Sequence, residues 1–266
     1  MSHYLFFSRA RYKTYLLFFL SVFVASPSFA SDTAQFTLES LMSHIQQSYR
    51  ATETVEFALN AQLVTQVGEG DDAKLGQADI YLTVKDGPDG VSIHYPKKLL
   101  SALETERKRF EKDAETVSSI RDVSNRMTVR EVQSLTSAHE TLLRRLRTAK
   151  LTSQASADYN GIEATKFEFE LEPKFSKRDK KYIKKYQAQM TLWLSKSGAP
   201  MAAFTEFNLK GRAFFVVRFR SEEEEEIIYE EFGDRLVAIS RRRYNASAGG
   251  GEYGDSTLRT TLKEIP

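Results

Sequence analysis

Two periods of apolar residues alternate along this chain, and their order predicts its elements. Leu38, Leu41, Met42, Ile45 and Tyr49 fall at helical spacing. Thr37 precedes them as a cap, and Phe36 and Leu41 stand at the positions of a hydrophobic staple, so a helix is expected from Leu38 to about Ala51. The period then drops to two. Val55, Phe57, Leu59, Ala61, Leu63 and Val67 alternate with Glu56, Asn60, Gln62 and Gln66, which predicts a long strand with one wet face. Turn residues at 68–72 lead to a second strand carrying Ala78, Ile80, Leu82 and Val84. A further turn at 86–90 leads to a third strand, Val91–Tyr95.

Residues 97–150 break this rhythm and read as a helical excursion. Leu100, Leu103, Phe110, Ala114 and Val117 form one stripe, predicting a helix over 99–118. Thr128-Val129-Arg130-Glu131 has the form of a capping box. It opens a second helix over 128–149, with Val132, Leu135, His139, Leu142, Leu146 and Ala149 on one side. Two such helices predict a hairpin whose apolar faces pack on the sheet and on each other.

Period two then returns. Phe167, Phe169 and Leu171 alternate with Lys166, Glu168, Glu170 and Glu172, and strands are expected at 190–194, 204–209, 213–219, 227–229, 236–239 and 257–265. Turns are expected at 195–200, Lys210-Gly211, Gly233-Asp234 and 249–251. Strands at this spacing without intervening helices predict a large antiparallel meander. The class is α+β, with about ten or eleven strands in a single domain.

The N-terminus changes the picture of where this domain works. Arg9, Arg11 and Lys13 precede the apolar run Tyr15–Ala25, and Ser28-Phe29-Ala30 has the small residues of a cleavage site. Residues 1–30 therefore read as a secretory signal cut after Ala30, since the run falls short of the about 20 residues a bilayer span needs. The expected location of residues 31–266 is the periplasm. The chain has no cysteine, which excludes disulfides, thiolate chemistry and a thiol-linked lipid anchor. Without the signal, Lys+Arg falls from 38 to 35 against 36 Asp+Glu, a balance that argues against nucleic acid as a partner.

Candidate chemistry is sparse. His44, His94 and His139 are far apart, His139 on an apolar stripe that favours a packed role, and no HExxH, GxSxG, GxGxxG or GxxxxGK[ST] pattern occurs. No catalytic residue, metal ligand or cofactor is expected, and the chain reads as a non-enzyme. Two charge runs stand out. Residues 174–185 carry seven Lys/Arg with Tyr182 between them, and peripheral membrane contact through Lys177, Lys180, Lys181 and Lys184 is one expectation. Glu222–Glu226 lies near Arg241–Arg243, and strand pairing could set these acids against the arginines.

The order of elements carries a resemblance. Leu38-x-x-Leu41-Met42-x-x-Ile45-x-x-x-Tyr49 runs into Val55-x-Phe57-x-Leu59. Later come Gly161-Ile162-x-Ala164-x-Lys166-Phe167, Leu192-Trp193-Leu194-x-x-x-Gly198-x-Pro200 and Gly233-Asp234-Arg235-Leu236-Val237. This pattern resembles the periplasmic lipoprotein-localisation (LolA/LolB-like) superfamily. The resemblance implies an antiparallel half-barrel with an N-terminal helix and a helical hairpin covering the concave face, closed over an apolar cavity. The implied function is a periplasmic binding protein or carrier for an apolar ligand, a lipid or an acylated protein. The alternative is a non-catalytic envelope structural or adaptor protein that meets a protein partner through its charged surface. No residue matches the arginine that the family's carrier uses in its cavity, so the candidate lining comes from strand patterning alone: Phe167, Phe169, Leu192, Leu194, Phe207, Leu209 and Phe219. Trp193, alternating with Leu192 and Leu194, is expected on the opposite face.

Overall fold

Alternating apolar and polar residues drive the strands to bury one side, and ten of them pair into one antiparallel sheet. The computed structural model describes residues 37–70, 73–112, 119–213 and 217–265. In chain order the strands are β1 (Val55–Val67), β2 (Lys74–Gly87), β3 (Gly90–His94), β4 (Ala149–Tyr159) and β5 (Ile162–Leu171). They continue with β6 (Ile183–Ser195), β7 (Pro200–Ala213), β8 (Val217–Phe232), β9 (Arg235–Gly249) and β10 (Glu252–Glu264). Their spatial order is β3-β2-β1-β10-β9-β8-β7-β6-β5-β4, so the first and last strands meet inside the sheet while β3 and β4 form its open edges. The described helices are α1 (Leu38–Ser48), α2 (Lys97–Lys112), α3 (Ser119–Arg126), α4 (Val129–Thr136) and α5 (Ala138–Leu146). Among the described residues no helix is long and apolar enough to cross a membrane.

Register decides which side is buried. Phe57, Leu59, Ala61 and Leu63 of β1 lie opposite Val84, Leu82, Ile80 and Ala78 of β2, and Leu59 and Leu63 lie opposite Leu262 and Leu258 of β10. These join Leu41 and Ile45 of α1, Val123 of α3, Val132 and Leu135 of α4, and Leu142 and Leu146 of α5 in one hydrophobic core. Each such side chain, fully buried, contributes about 1.5–3 kcal/mol before entropy is charged against it.

Both expected caps form. The Thr37 hydroxyl accepts from the Ser40 amide at 3.2 Å, and that of Thr128 accepts from the Glu131 amide at 3.2 Å. The Glu131 side chain, however, is drawn away to arginines of β9. Thr128→Ala is expected to lower stability by about 1 kcal/mol, measurable as a drop in the urea midpoint. The staple residue Phe36 lies outside the described residues.

The excursion departs from the expected hairpin. In place of helices over 99–118 and 128–149, the chain forms four shorter helices, and Ala149 begins β4. The residues at 113–118, including Ala114 and Val117, lie outside those described. Within the expected second helix the chain breaks at Ser137, whose φ of −131° and ψ of 55° leave the helical region. Two hydroxyls at this junction donate to one buried carboxylate, that of Asp86: Thr136 Oγ1 at 2.6 Å and Ser137 Oγ at 3.1 Å. Nor does the first stripe pack as expected. α2 has no buried residue; Leu100 is 51% exposed, and Phe110 lies under the Arg121 guanidinium at 5.2 Å from the ring centre.

Lys210-Gly211, expected as a turn, lies inside β7. There the Phe219 ring packs over the glycine, and a Cβ at Gly211 would come within 2.1 Å of it, so the residue is small for packing rather than for turning. The expected strand 213–219 is divided between the end of β7 and the start of β8, with 214–216 outside the described residues.

Candidate functional site

The core stops part-way along the strands, and the site begins where it stops. Along β1, buried Leu63 is followed on the same side by half-buried Thr65 and exposed Val67. Along β10, buried Leu258 gives way to Ser256 and Gly254, and along β9, buried Arg241 gives way to Arg243, Asn245 and Ser247. On β8 the corresponding series is Ile227, Glu225, Glu223 and Ser221. A cavity of about 640 Å³ lies at this boundary, lined by Arg126, Glu131, Arg145, Thr205, Phe207, Glu223, Glu224, Glu225, Arg243, Asn245, Ser256 and Leu258. Arg126 ends α3, Glu131 sits in the first turn of α4, and Arg145 in the last turn of α5, so three helix termini meet the sheet here.

Strand pairing builds the charged floor. Register sets Glu225 opposite Arg243 and, on the other side, opposite Thr205. The Glu225 carboxylate accepts from Arg243 at 2.9 Å and pairs with Arg145. Glu131 pairs with Arg241 and lies 3.5 Å from Arg243, while Arg241 also donates to Ser134 Oγ at 2.9 Å. Burial pushes the Glu225 carboxyl up, but Arg145, Arg243 and Arg241 pull it further down, and it is held at about 2. Arg126 stands apart, being exposed and without an ion-pair partner among the described residues. The acidic run is thus divided by the pleat. Glu225 is held inside, and Glu223 lines the cavity on the same side with no ion pair among the described residues. Glu224 pairs with Arg242 at 3.4 Å, and Glu222 and Glu226 stay on the outer face.

All seven candidate lining residues share one side of the sheet. Phe167 lies opposite Leu192, Phe169 opposite Met190, Phe207 opposite Ala188, Leu209 opposite Tyr186, and Phe219 opposite Gly211. They separate along it. Phe167, Phe169, Leu192 and Leu194 are closed inside the core, the two phenylalanine rings stacked at 6.3 Å. Phe207 lines the cavity, and half-buried Leu209 and Phe219 continue beyond it. Phe175, from the lysine-rich connection, extends this apolar strip, its ring 6.4 Å from Phe207 and 5.0 Å from Tyr186. Trp193 lies on the other face, against Tyr159 at 5.2 Å.

No family model, no curated protein and no solved structure matches the chain. The residues themselves therefore carry the argument.

The histidines stay apart in role. His139 is buried against Tyr49, and burial lowers its pKa, with Glu140 opposing. The His44 ring packs where a Cβ at Gly198 would lie, and His94 is exposed on β3. Among the described residues no group of three metal-binding side chains occurs. The arginines of the floor left no motif in the sequence. The signal for those of β9 was the nearness of Glu222–Glu226 to Arg241–Arg243, and pairing of β8 with β9 sets Glu225 opposite Arg243.

Proposed function

We propose that the chain is an exported, non-catalytic carrier that holds an amphiphile, a lipid or the acyl group of a lipoprotein, in the cavity at the end of its core. In this reading the sheet curves as an incomplete barrel in the manner of the lipoprotein-localisation superfamily. The helices shield the apolar part of its concave side and leave the remainder for a ligand. The observation that carries the proposal is the juxtaposition in one cavity of unpaired Arg126 with Phe207 and Leu258, continued by Leu209, Phe219 and Phe175. An apolar tail gains by lying along that strip, and an anionic head gains a charge-assisted bond from Arg126. The signal-like residues 1–30 support a periplasmic site of action.

Protein purified from cells expressing the full chain is expected to release an acyl-bearing amphiphile on solvent extraction. Phe207→Asp with Arg126→Glu is expected to lose it roughly tenfold or more while the circular dichroism stays unchanged. Added lysophospholipid should raise the melting temperature of stripped protein, by the equivalent of about 2.7 kcal/mol at a hundredfold excess over Kd. Protein that carries nothing and melts at the same temperature with and without lysophospholipid would sink the proposal.

A further inference from the structure

The lysine-rich segment 174–185 holds seven cations, and strand pairing brings four more to it. Lys185 of β6 lies directly opposite Lys210 of β7, which lies opposite Arg220 of β8. One row further out, Arg212 faces Arg218. Like charges set opposite each other in a sheet destabilise it. All five are exposed, and none is in an ion pair among the described residues. Two acids lie close by: Asp179, which accepts from Ser176 Oγ at 2.6 Å, and Glu222, one row further in on β8, and neither is in an ion pair with these cations among the described residues. A chain with nearly equal acids and bases thus concentrates eleven cations against these two acids at the end of the sheet where β7 passes to β8.

We infer that this end of the sheet docks on an anionic lipid interface. The inference goes beyond the carrier reading, because the five strand cations lie on the face opposite Phe207 and the cavity and need no occupant there. Two features favour lipid over a soluble polyanion. The cations project from three neighbouring strands about 4.8 Å apart, a broad surface rather than a groove that tracks a chain. At the same end, on the other side, Tyr186 is 45% and Val217 37% exposed, and a lipid interface accepts aromatic and apolar side chains along with cations. A soluble polyanion leaves those two in water.

The test is co-sedimentation of the mature chain with vesicles of phosphatidylcholine alone or mixed with phosphatidylglycerol, at low and high salt. Binding is expected only with phosphatidylglycerol and should weaken as salt rises. Lys210→Gln with Arg220→Gln is expected to cut binding roughly tenfold or more, and Lys263→Gln, on the same face in β10, to leave it unchanged. The double variant should melt no lower than the parent, since it removes a repulsion, so lost binding will not reflect lost folding. It should also retain any amphiphile in the cavity, which separates failure here from failure of the carrier reading. Equal binding to both vesicles, undiminished binding by the double variant, or capture of soluble polyphosphate with no vesicle binding would each overturn the inference.

Discussion

Asp86→Ala is expected to destabilise the protein by about 3–5 kcal/mol, the cost of stranding a buried charge. Arg235 is 1% exposed, and its guanidinium donates to Asp86 Oδ2 at 2.9 Å, to Ser137 Oγ at 2.8 Å, to the Ala51 carbonyl at 2.8 Å and to the Glu53 carbonyl at 2.6 Å. Four segments therefore meet on one side chain: the connection before β1, the end of β2, the α4–α5 junction and the start of β9. Without the carboxylate, Arg235 stays buried and charged, and the Thr136 and Ser137 hydroxyls lose their acceptor. Denaturant titration measures the loss, and a cost under about 1 kcal/mol would mean that water reaches the guanidinium. The double variant Asp86→Leu/Arg235→Met should recover much of the loss, because it removes both charges. It should not recover all of it, since the carbonyls of Ala51 and Glu53 are then left without donors.

The second large effect is a loss of stability in acid. Glu225 titrates in the folded protein at about 2, where burial raises its pKa and Arg145, Arg243 and Arg241 more than offset the rise. An unfolded glutamate titrates at about 4.3. A folded-state pKa depressed in this way contributes stability that is complete above the unfolded value and disappears as pH falls through the folded one. About 3 kcal/mol should accordingly vanish between about pH 4.5 and pH 2. Asp234 shifts in the same direction: burial raises it, but hydrogen bonds from Thr52 and from the Glu53 amide outweigh that. Glu225→Gln should lower the urea midpoint at neutral pH and flatten its acid dependence, with Asp234 preserving part of the slope. An unchanged slope in the variant would show that Glu225 is not the residue responsible.

Much of the fold was legible because a half-buried strand writes its own pattern. β1 occupies Val55–Val67 as its alternation predicts, α1 begins at its cap, and the sheet is antiparallel as expected. The failures share a cause, which is that tertiary partners overrode local signals. Glu222–Glu226 fell between the expected strands 213–219 and 227–229, although strand pairing was expected to set these acids against Arg241–Arg243, as it does. They fit inside β8 because Glu225 points inward to arginines while Glu224 points outward to Arg242. The helix over 128–149 broke at Ser137 because Asp86, some fifty residues earlier, binds the hydroxyls on both sides of the junction. The seven candidate lining residues share one face of the sheet, but alternation says nothing about position along the strand. Phe167 and Phe207 have the same pattern, and only the ends of α3, α4 and α5 decide that one is core and the other lines the cavity.

The pairing of β1 with β10 has a consequence for how the molecule is made. Eleven residue pairs join Phe57–Val67 to Gly254–Glu264, and this ladder lies inside the sheet, between its third and fourth strands. A growing polypeptide cannot complete it before residues 254–264 exist, and contacts so distant in sequence are slow to find. Until then β1 has a strand partner on one side only, and the apolar face of the β1–β3 meander depends on α1, α3 and α4 for cover. The sheet is therefore left with β1 open on one side until β10 has been made, and only then do β3-β2-β1 and β9 to β4 become one continuous ladder.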